Sequence, residues 1–277
     1  VGFDFKSPHT GLAARKAWFF FDKTYVCLGT NISSRMKDQV LTTVNQCLLN
    51  GEVTVSDADG IHPQEQGSRM KKEVRWVVHD KVGYYFLKKE NVILSNQHME
   101  GSWKIANRQT TTPTNIIRQD VFTLSIDHGS SPNNGGYAYM VIPSSDPQSI
   151  EKKVEEEGVV VLANCPDVQA VRHDGLNMAY AVFYKGGTLR IHDKIVVEMD
   201  APGMLMVKYN DAGEILALGV SDPTRFMKKL HLSVNQKIVG SAQENIQTEW
   251  DEKQALTRIT VELPQNEYAG KSVIYNK

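Results

Sequence analysis

Short runs of apolar, β-branched and aromatic residues alternate with turn-forming clusters every ~8–12 residues, the rhythm of sandwich strands. Lys16-Ala-Trp-Phe-Phe-Phe-Asp-Lys-Thr-Tyr-Val-Cys-Leu-Gly29 has a polar break at Asp22-Lys23 and predicts two strands joined by a tight turn. Residues 31–38 are polar and read as a loop; 40–49 predict the next strand, where Thr42-Thr43-Val44 is followed by Asn45-Gln46, and 52–55 continue the β pattern. Residues 56–67 are turn chemistry throughout. Residues 74–79 and 84–87, separated by Asp80-Lys-Val-Gly83, predict a hairpin. Strands are expected at 92–95, 121–126 and 137–142, the last two joined by a loop rich in residues that accept positive φ. One helix is predicted, with Asp146 as cap, Pro147 as first helical residue, Ile150 and Val154 on one face and Gly158 at the end. Its Glu151-Lys-Lys and Glu155-Glu-Glu runs read as a solvated face. Strands then recur at 159–163, 168–172, 178–184, 188–191, 195–199, 204–209, 215–220, 230–232, 238–240, 258–262 and 273–275. The fold class is all-β, with a domain boundary expected near residue 194.

With 277 residues, 41% of them hydrophobic, the chain can bury the core of one large β domain or two domains. Thirty-one basic and 32 acidic residues leave a net charge of −1, which gives no electrostatic ground for nucleic acid or an anionic membrane as partner. A local basic groove is compatible with that balance. Cys27, Cys47 and Cys165 are odd in number and lack CxxC spacing, which argues against a disulfide framework or a zinc knuckle. Cys27 and Cys47 lie in apolar runs and read as small buried hydrophobes. No run approaches the ~20 apolar residues of a membrane span, and no signal peptide is visible. The chain opens Val1-Gly-Phe-Asp-Phe without an initiator Met and reads as a piece of a longer protein.

Local motifs name no reaction. There is no G-x-S-x-G, no P-loop and no dinucleotide fingerprint, and none of the eight histidines forms H-x-H or H-E-x-x-H. Asp57-Ala-Asp59-Gly60 resembles the start of a calcium loop but lacks a Glu at the twelfth position, so a plain turn is favoured over a calcium site. His79-Asp80 and Asp127-His128 fall at strand ends, where a histidine that caps a loop is the favoured reading. Trp18, Trp76 and Trp103 could each stack on a sugar ring. Trp18 and Trp76 lie inside strands and read as core, whereas Trp103, between Gly101-Ser102 and Asn107-Arg108, reads as an exposed edge. These features describe a soluble β-sandwich protein and lean against a self-contained hydrolase.

Ala17-Trp-Phe-Phe-Phe-Asp, Tyr25-Val-Cys-Leu-Gly, Thr42-Thr-Val-Asn-Gln, Trp76-Val-Val-His-Asp-Lys-Val-Gly-Tyr84, Gly101-Ser-Trp103 and Phe122-Thr-Leu-Ser-Ile-Asp-His-Gly129 occur in that order, with Gln169-Ala-Val-Arg-His-Asp and Ala269-Gly-Lys-Ser-Val273 further on. The series resembles the β-rich part of polysaccharide lyase family 8, the chondroitin AC lyase and hyaluronate lyase group. The resemblance implies a large multi-sheet antiparallel β-sandwich (a supersandwich) over residues 1–194 and a small C-terminal β-sandwich over 195–277. It also implies an N-terminal helical toroid that this chain lacks. Such enzymes cleave uronic-acid polymers by β-elimination, neutralising the uronate carboxylate while a Tyr, assisted by His and Arg, moves the C5 proton. That set lies in the helical part, so no catalytic residue, metal ligand or cofactor is assigned here. The implied partners are an acidic polysaccharide and the helical domain of the same protein, and the implied location is secreted or periplasmic. The large sandwich is expected to form one wall of the substrate cleft, with Thr43, Asn45, Gln46 and Trp103 as substrate contacts. Relatives place near this strand a carboxylate that orients the catalytic Arg; here Leu41 precedes Thr42, and the nearest acid is Asp38. A stand-alone carbohydrate-binding module and a purely structural scaffold are the alternatives.

Overall fold

The computed structural model describes residues 1–238 and 244–277, so most of the strand expected at 238–240 lies outside the described residues. The first strands are β1 (Gly2–Lys6), β2 (Ala13–Phe20), β3 (Tyr25–Ser33), β4 (Gln39–Leu48), β5 (Val53–Asp57), β6 (Gly60–Pro63), β7 (Gly67–His79) and β8 (Val82–Gly101). A short helix α1 (Trp103–Ala106) precedes β9 (Ile117–Ser130) and β10 (Gly135–Pro143), and α2 (Ile150–Glu157) follows. Then come β11 (Val159–Asn164), β12 (Val168–His173), β13 (Met178–Phe183), β14 (Gly187–His192), β15 (Ile195–Met199), β16 (Gly203–Tyr209) and β17 (Ile215–Ser221). The last four are β18 (Lys229–Val234), β19 (Ile246–Asp251), β20 (Leu256–Glu262) and β21 (Val273–Asn276).

Strands β1 to β10 form one antiparallel sheet that doubles over on itself. The twenty-residue β8 makes this possible. Its first residues pair with β10, and from Val92 onward it pairs with β9, which in turn pairs with β4. Between these halves the β7–β8 ladder slips twice, and Glu73 takes φ 53°, the local irregularity that bends a long strand. The core enclosed by the fold-over holds Cys27, Val77, Tyr84, Phe86, Leu94, Phe122, Leu124, Tyr137 and Tyr139. The opposite face packs Ala17, Phe19, Leu28, Trp76, Met140 and Ile142 against Ile150 of α2 and against Val171 and Val182. Period-two geometry accounts for both cores: along β10, Tyr137, Tyr139 and Val141 enter the first, and Met140 and Ile142 the second. Beyond lies the small sandwich, a six-stranded sheet (β11-β12-β13-β16-β17-β21) packed on a five-stranded one (β14-β15-β18-β20-β19).

Several expectations change. The boundary near 194 falls inside the small sandwich, whose six-stranded sheet takes β11–β13 from before that residue and β16, β17 and β21 from after it. The sequence pattern hid this because β11–β13 look no different from the strands on either side. Residues 56–67 contain β6, a short edge strand paired with β5 by backbone bonds that polar residues make as readily as apolar ones. The helix begins at Ile150; Asp146 instead ties a preceding turn, accepting from the Gln148 and Ser149 N–H groups at 3.0 Å each. Gly158 ends the helix as expected, at φ 58°. The charged face is only partly solvated. Glu151 accepts from Trp76 Nε1 at 3.2 Å, and Glu157 lies 2.7 Å from His173 Nε2. Trp76 is fully buried, and the β7–β8 turn has positive φ at both Asp80 and Lys81, as a type I′ hairpin requires.

Candidate functional site

The strand β4 carries three of the four expected contact residues, and a bulge sorts them. Its ladder with β9 slips between Thr43 and Asn45, so Thr42, Val44, Asn45 and Cys47 turn toward the core while Thr43 and Gln46 face outward and are exposed. Asn45, expected to meet substrate, instead donates from Nδ2 to Tyr84 Oη at 2.5 Å and lies 3.6 Å from Cys47 Sγ. Outside, Thr43 Oγ1 accepts from Ser125 Oγ at 3.5 Å, and Leu41 and Leu48 are exposed on the same face as Thr43 and Gln46. Trp103 opens α1, 60% exposed, with Ser102 capping the turn and Lys104 tied to the Gln109 carbonyl at 2.6 Å. It belongs to a different part of the sheet. Ile117 pairs beside Gly101 and Thr123 beside Gln46, so at ~3.3 Å per residue Trp103 lies roughly 20 Å along β9 from Gln46. The fold therefore brings Thr43 and Gln46 together but not Trp103.

Behind β4 lies a group of titratable side chains. Cys47 Sγ is 3.8 Å from His79 Nδ1, and His79 Nε2 accepts the Asn50 N–H at 3.0 Å. Because the Nε2 lone pair is used by the backbone, His79 carries its proton on Nδ1 and has no base to offer the thiol. Burial lowers the His79 pKa and raises that of Cys47, keeping both neutral. His79 thus caps residue 50, as expected, and stacks on Phe122 at 4.3 Å. At the other end, His128 Nε2 lies 2.9 Å from Thr42 Oγ1; burial lowers its pKa, Asp127 opposes the shift, and Lys16 adds to it. The tyrosines facing the core are equally withdrawn: burial pushes Tyr84 and Tyr184 up to about 12, and Tyr137 and Tyr139 higher still. None is placed to remove a proton from a substrate at neutral pH.

The Asp57–Asp59 stretch does not fit a cation. The Asp57 carboxylate already meets His62 Nε2 at 3.0 Å, Lys71 Nζ at 3.4 Å and the Asp59 N–H at 3.0 Å. Among the described residues, no group of three or more His, Cys, Asp or Glu side chains is arranged to hold a metal ion. Among them too, no helix is long and apolar enough to cross a membrane.

A folded-over sheet stacked on a small sandwich defines an all-β, two-part sandwich module. Comparison with known proteins identifies which kind. The profile described as "Polysaccharide lyase family 8, super-sandwich domain" matches residues 1–154, and that of the family's C-terminal beta-sandwich domain matches 160–231. The chain belongs to polysaccharide lyase family 8. The two matches meet where the chain leaves α2 and enters β11. Chondroitinase-AC of Pedobacter heparinus is 34% identical over 265 residues, 96% of this chain and 35% of that protein. Hyaluronate lyase of Thermasporomyces composti is 30% identical over 86% of the chain and 30% of its own length. A solved chondroitinase AC lyase superposes with a TM-score of 0.82 at 34% identity, covering 99% of this chain and 37% of that one. Paenibacillus xanthan lyase shares the fold at a TM-score of 0.85 and 22% identity over 99% of this chain and 27% of its own. The chain thus spans about a third of the length of these relatives.

Proposed function

We propose that this chain is the β-sandwich portion of a glycosaminoglycan lyase that cleaves chondroitin- or hyaluronan-type polymers by β-elimination. In that reading the chain builds one wall of the substrate cleft and supports a helical catalytic domain. The observation that carries it is the match to chondroitinase AC, 34% identical with a TM-score of 0.82 over 99% of the chain. The burial of Tyr84, Tyr137, Tyr139, His79 and His128 agrees, because β-elimination needs a base within reach of the uronate C5 proton. Thr43 and Gln46, exposed on β4, and Trp103, exposed on α1, present side chains to a sugar, while Asn45 shapes the strand from behind. In this reading, as the family likeness suggests, the whole enzyme is secreted or periplasmic. The test is an assay of unsaturated-product absorbance on chondroitin sulfate with the 277-residue chain alone. No turnover is expected; robust turnover would move the chemistry into these sandwiches and overturn the proposal.

A further inference from the structure

The small sandwich carries a second feature suited to a polysaccharide, at the end where β17 leads into β18 and β20 into β21. Residues 222–228 form a loop fixed from inside by Asp222, which is 4% exposed. Its carboxylate accepts from Thr224 N at 2.8 Å, Thr224 Oγ1 at 2.5 Å, Phe226 N at 2.9 Å and Met227 N at 2.8 Å. Burial alone would raise the Asp222 pKa, but these bonds hold it below the ordinary carboxylate value, so its charge is spent within the loop. Thus anchored, the loop holds Arg225 at φ 69° and presents the Phe226 ring 89% exposed.

A second loop, residues 264–272, is clamped to the first. Gln265 Nε2 donates to the Met227 carbonyl at 3.1 Å, Leu263 N to Lys228 O at 2.8 Å, and Arg225 Nη2 to Asn266 O at 3.4 Å. This loop offers Tyr268, 61% exposed. Lys228 and Lys271 are exposed as well. Among the described residues no carboxylate lies within 4.0 Å of Arg225, Lys228 or Lys271, whereas the neighbouring Lys229 is paired with Glu262 at 2.8 Å. Glu267 is the acid on the second loop.

We propose that these two loops form a second contact site for an anionic polysaccharide, apart from the β4 face and α1. Exposed aromatic rings suit the apolar face of a pyranose, and unpaired Arg and Lys suit its carboxylate or sulfate. Both are held on a preorganised frame, which limits the ordering cost of binding. The acidic class of the polymer rests on the function proposed above. The charge favours this end of the molecule over a concavity of about 570 Å³ on the outer face of the five-stranded sheet. There Glu198, Asp200 and Glu249 outnumber Arg258, the wrong sign for a polyanion.

The experiment is calorimetric titration of the purified chain with chondroitin sulfate, and with dextran as a neutral probe. Binding to chondroitin sulfate that weakens with salt is expected, with none to dextran. Phe226→Ala, and separately the triple change Arg225→Ala, Lys228→Ala and Lys271→Ala, should each weaken it about tenfold, the equivalent of ~1.4 kcal/mol. All four side chains are exposed, so a thermal melt should show the variants folded. Unchanged affinity in both variants, equal binding to dextran, or no binding by the unaltered chain overturns the proposal. Trp103→Ala, titrated in parallel, separates the two readings: affinity lost there but kept in both loop variants leaves the cleft-wall reading standing and removes this one.

Discussion

One extra residue in β4 gives Asn45 and Gln46 opposite roles. Strict alternation would set Thr43 and Asn45 on one face; the bulge turns Asn45 inward, where its amide supplies the Tyr84 hydroxyl with a partner. Replacing Asn45 with Ala should therefore act on the fold, costing about 1–3 kcal/mol as an unpaired buried hydroxyl does, with sugar affinity unchanged. Gln46→Ala should do the reverse, changing stability by less than about 0.5 kcal/mol. Urea melts and titrations of the two variants check this, and an Asn45→Ala protein of full stability that loses ligand contradicts it. Glu90 supplies a second prediction at this scale. It sits on the bent stretch of β8 beside Val74, and burial raises its pKa from 4.5 to about 7, with Lys88 opposing. An acid that holds its proton more tightly folded than unfolded favours the fold at low pH, and that advantage is lost as pH rises from about 4.5 to about 7. Glu90→Gln should thus raise the melting temperature at pH 8 by about 2 °C, on the order of 1 kcal/mol after allowing for solvent screening, and leave it unchanged at pH 4. An equal shift at both values would assign the effect to packing.

Strands are the scale at which the sequence spoke most clearly, because a layer buried on both faces needs unbroken apolar runs. Trp76-Val-Val-His79 sends successive side chains into opposite cores, and that density marks it as a strand without further context. The strand β19 was invisible for the converse reason. Ile246-Gln-Thr-Glu-Trp-Asp251 commits only alternate residues to the interior of an outer sheet, and its Trp250 remains part-exposed under Lys237, 5.8 Å from the ring. The bulge in β4 and the bend in β8 were equally hidden, since both are set by which strand pairs alongside. Gly29 shows what such pairing demands. It lies opposite Tyr137 in the β3–β10 ladder, and a Cβ on it would come 2.1 Å from that ring. Tyr137 is 4% exposed and has nowhere to go. Gly29→Ala should cost about 1–3 kcal/mol by overpacking, visible as a lower urea midpoint with an unchanged slope. A near-neutral result would mean that β10 can shift along β3.

At the scale of the whole molecule, the two sandwiches are joined by a polar seam as well as by the core around Val171 and Val182. Asn164 Nδ2 donates to the Gly29 carbonyl at 3.1 Å and the Tyr137 carbonyl at 3.0 Å, and Gln169 Nε2 donates to Asn164 Oδ1 at 2.8 Å. The Tyr184 hydroxyl lies between Gln169 Oε1, 2.9 Å away, and the Lys16 carbonyl, 3.0 Å away. Arg15 stacks 4.7 Å above the Tyr184 ring and reaches the Pro166 carbonyl. The Gln169-Ala-Val-Arg-His-Asp run that suggested the family in the sequence is thus a joint: Gln169 holds the seam, Arg172 pairs with Asp174, and His173 reaches Glu157 of α2. Gln169 is fully buried, and its removal would leave Asn164 Oδ1 without this donor and Tyr184 Oη with the Lys16 carbonyl alone. Gln169→Ala should cost about 2–4 kcal/mol, as removing two buried hydrogen bonds at once does. The loss falls on the joint while the cores within each sandwich stay intact, so its effect should be on cooperativity as well as stability. Scanning calorimetry should show one transition in the unaltered chain and two in Gln169→Ala. Ser233→Ala, on the open outer face of β18, should leave one transition at its original temperature. A single but lowered transition in Gln169→Ala would show that the shared hydrophobic core couples the sandwiches without help from the seam.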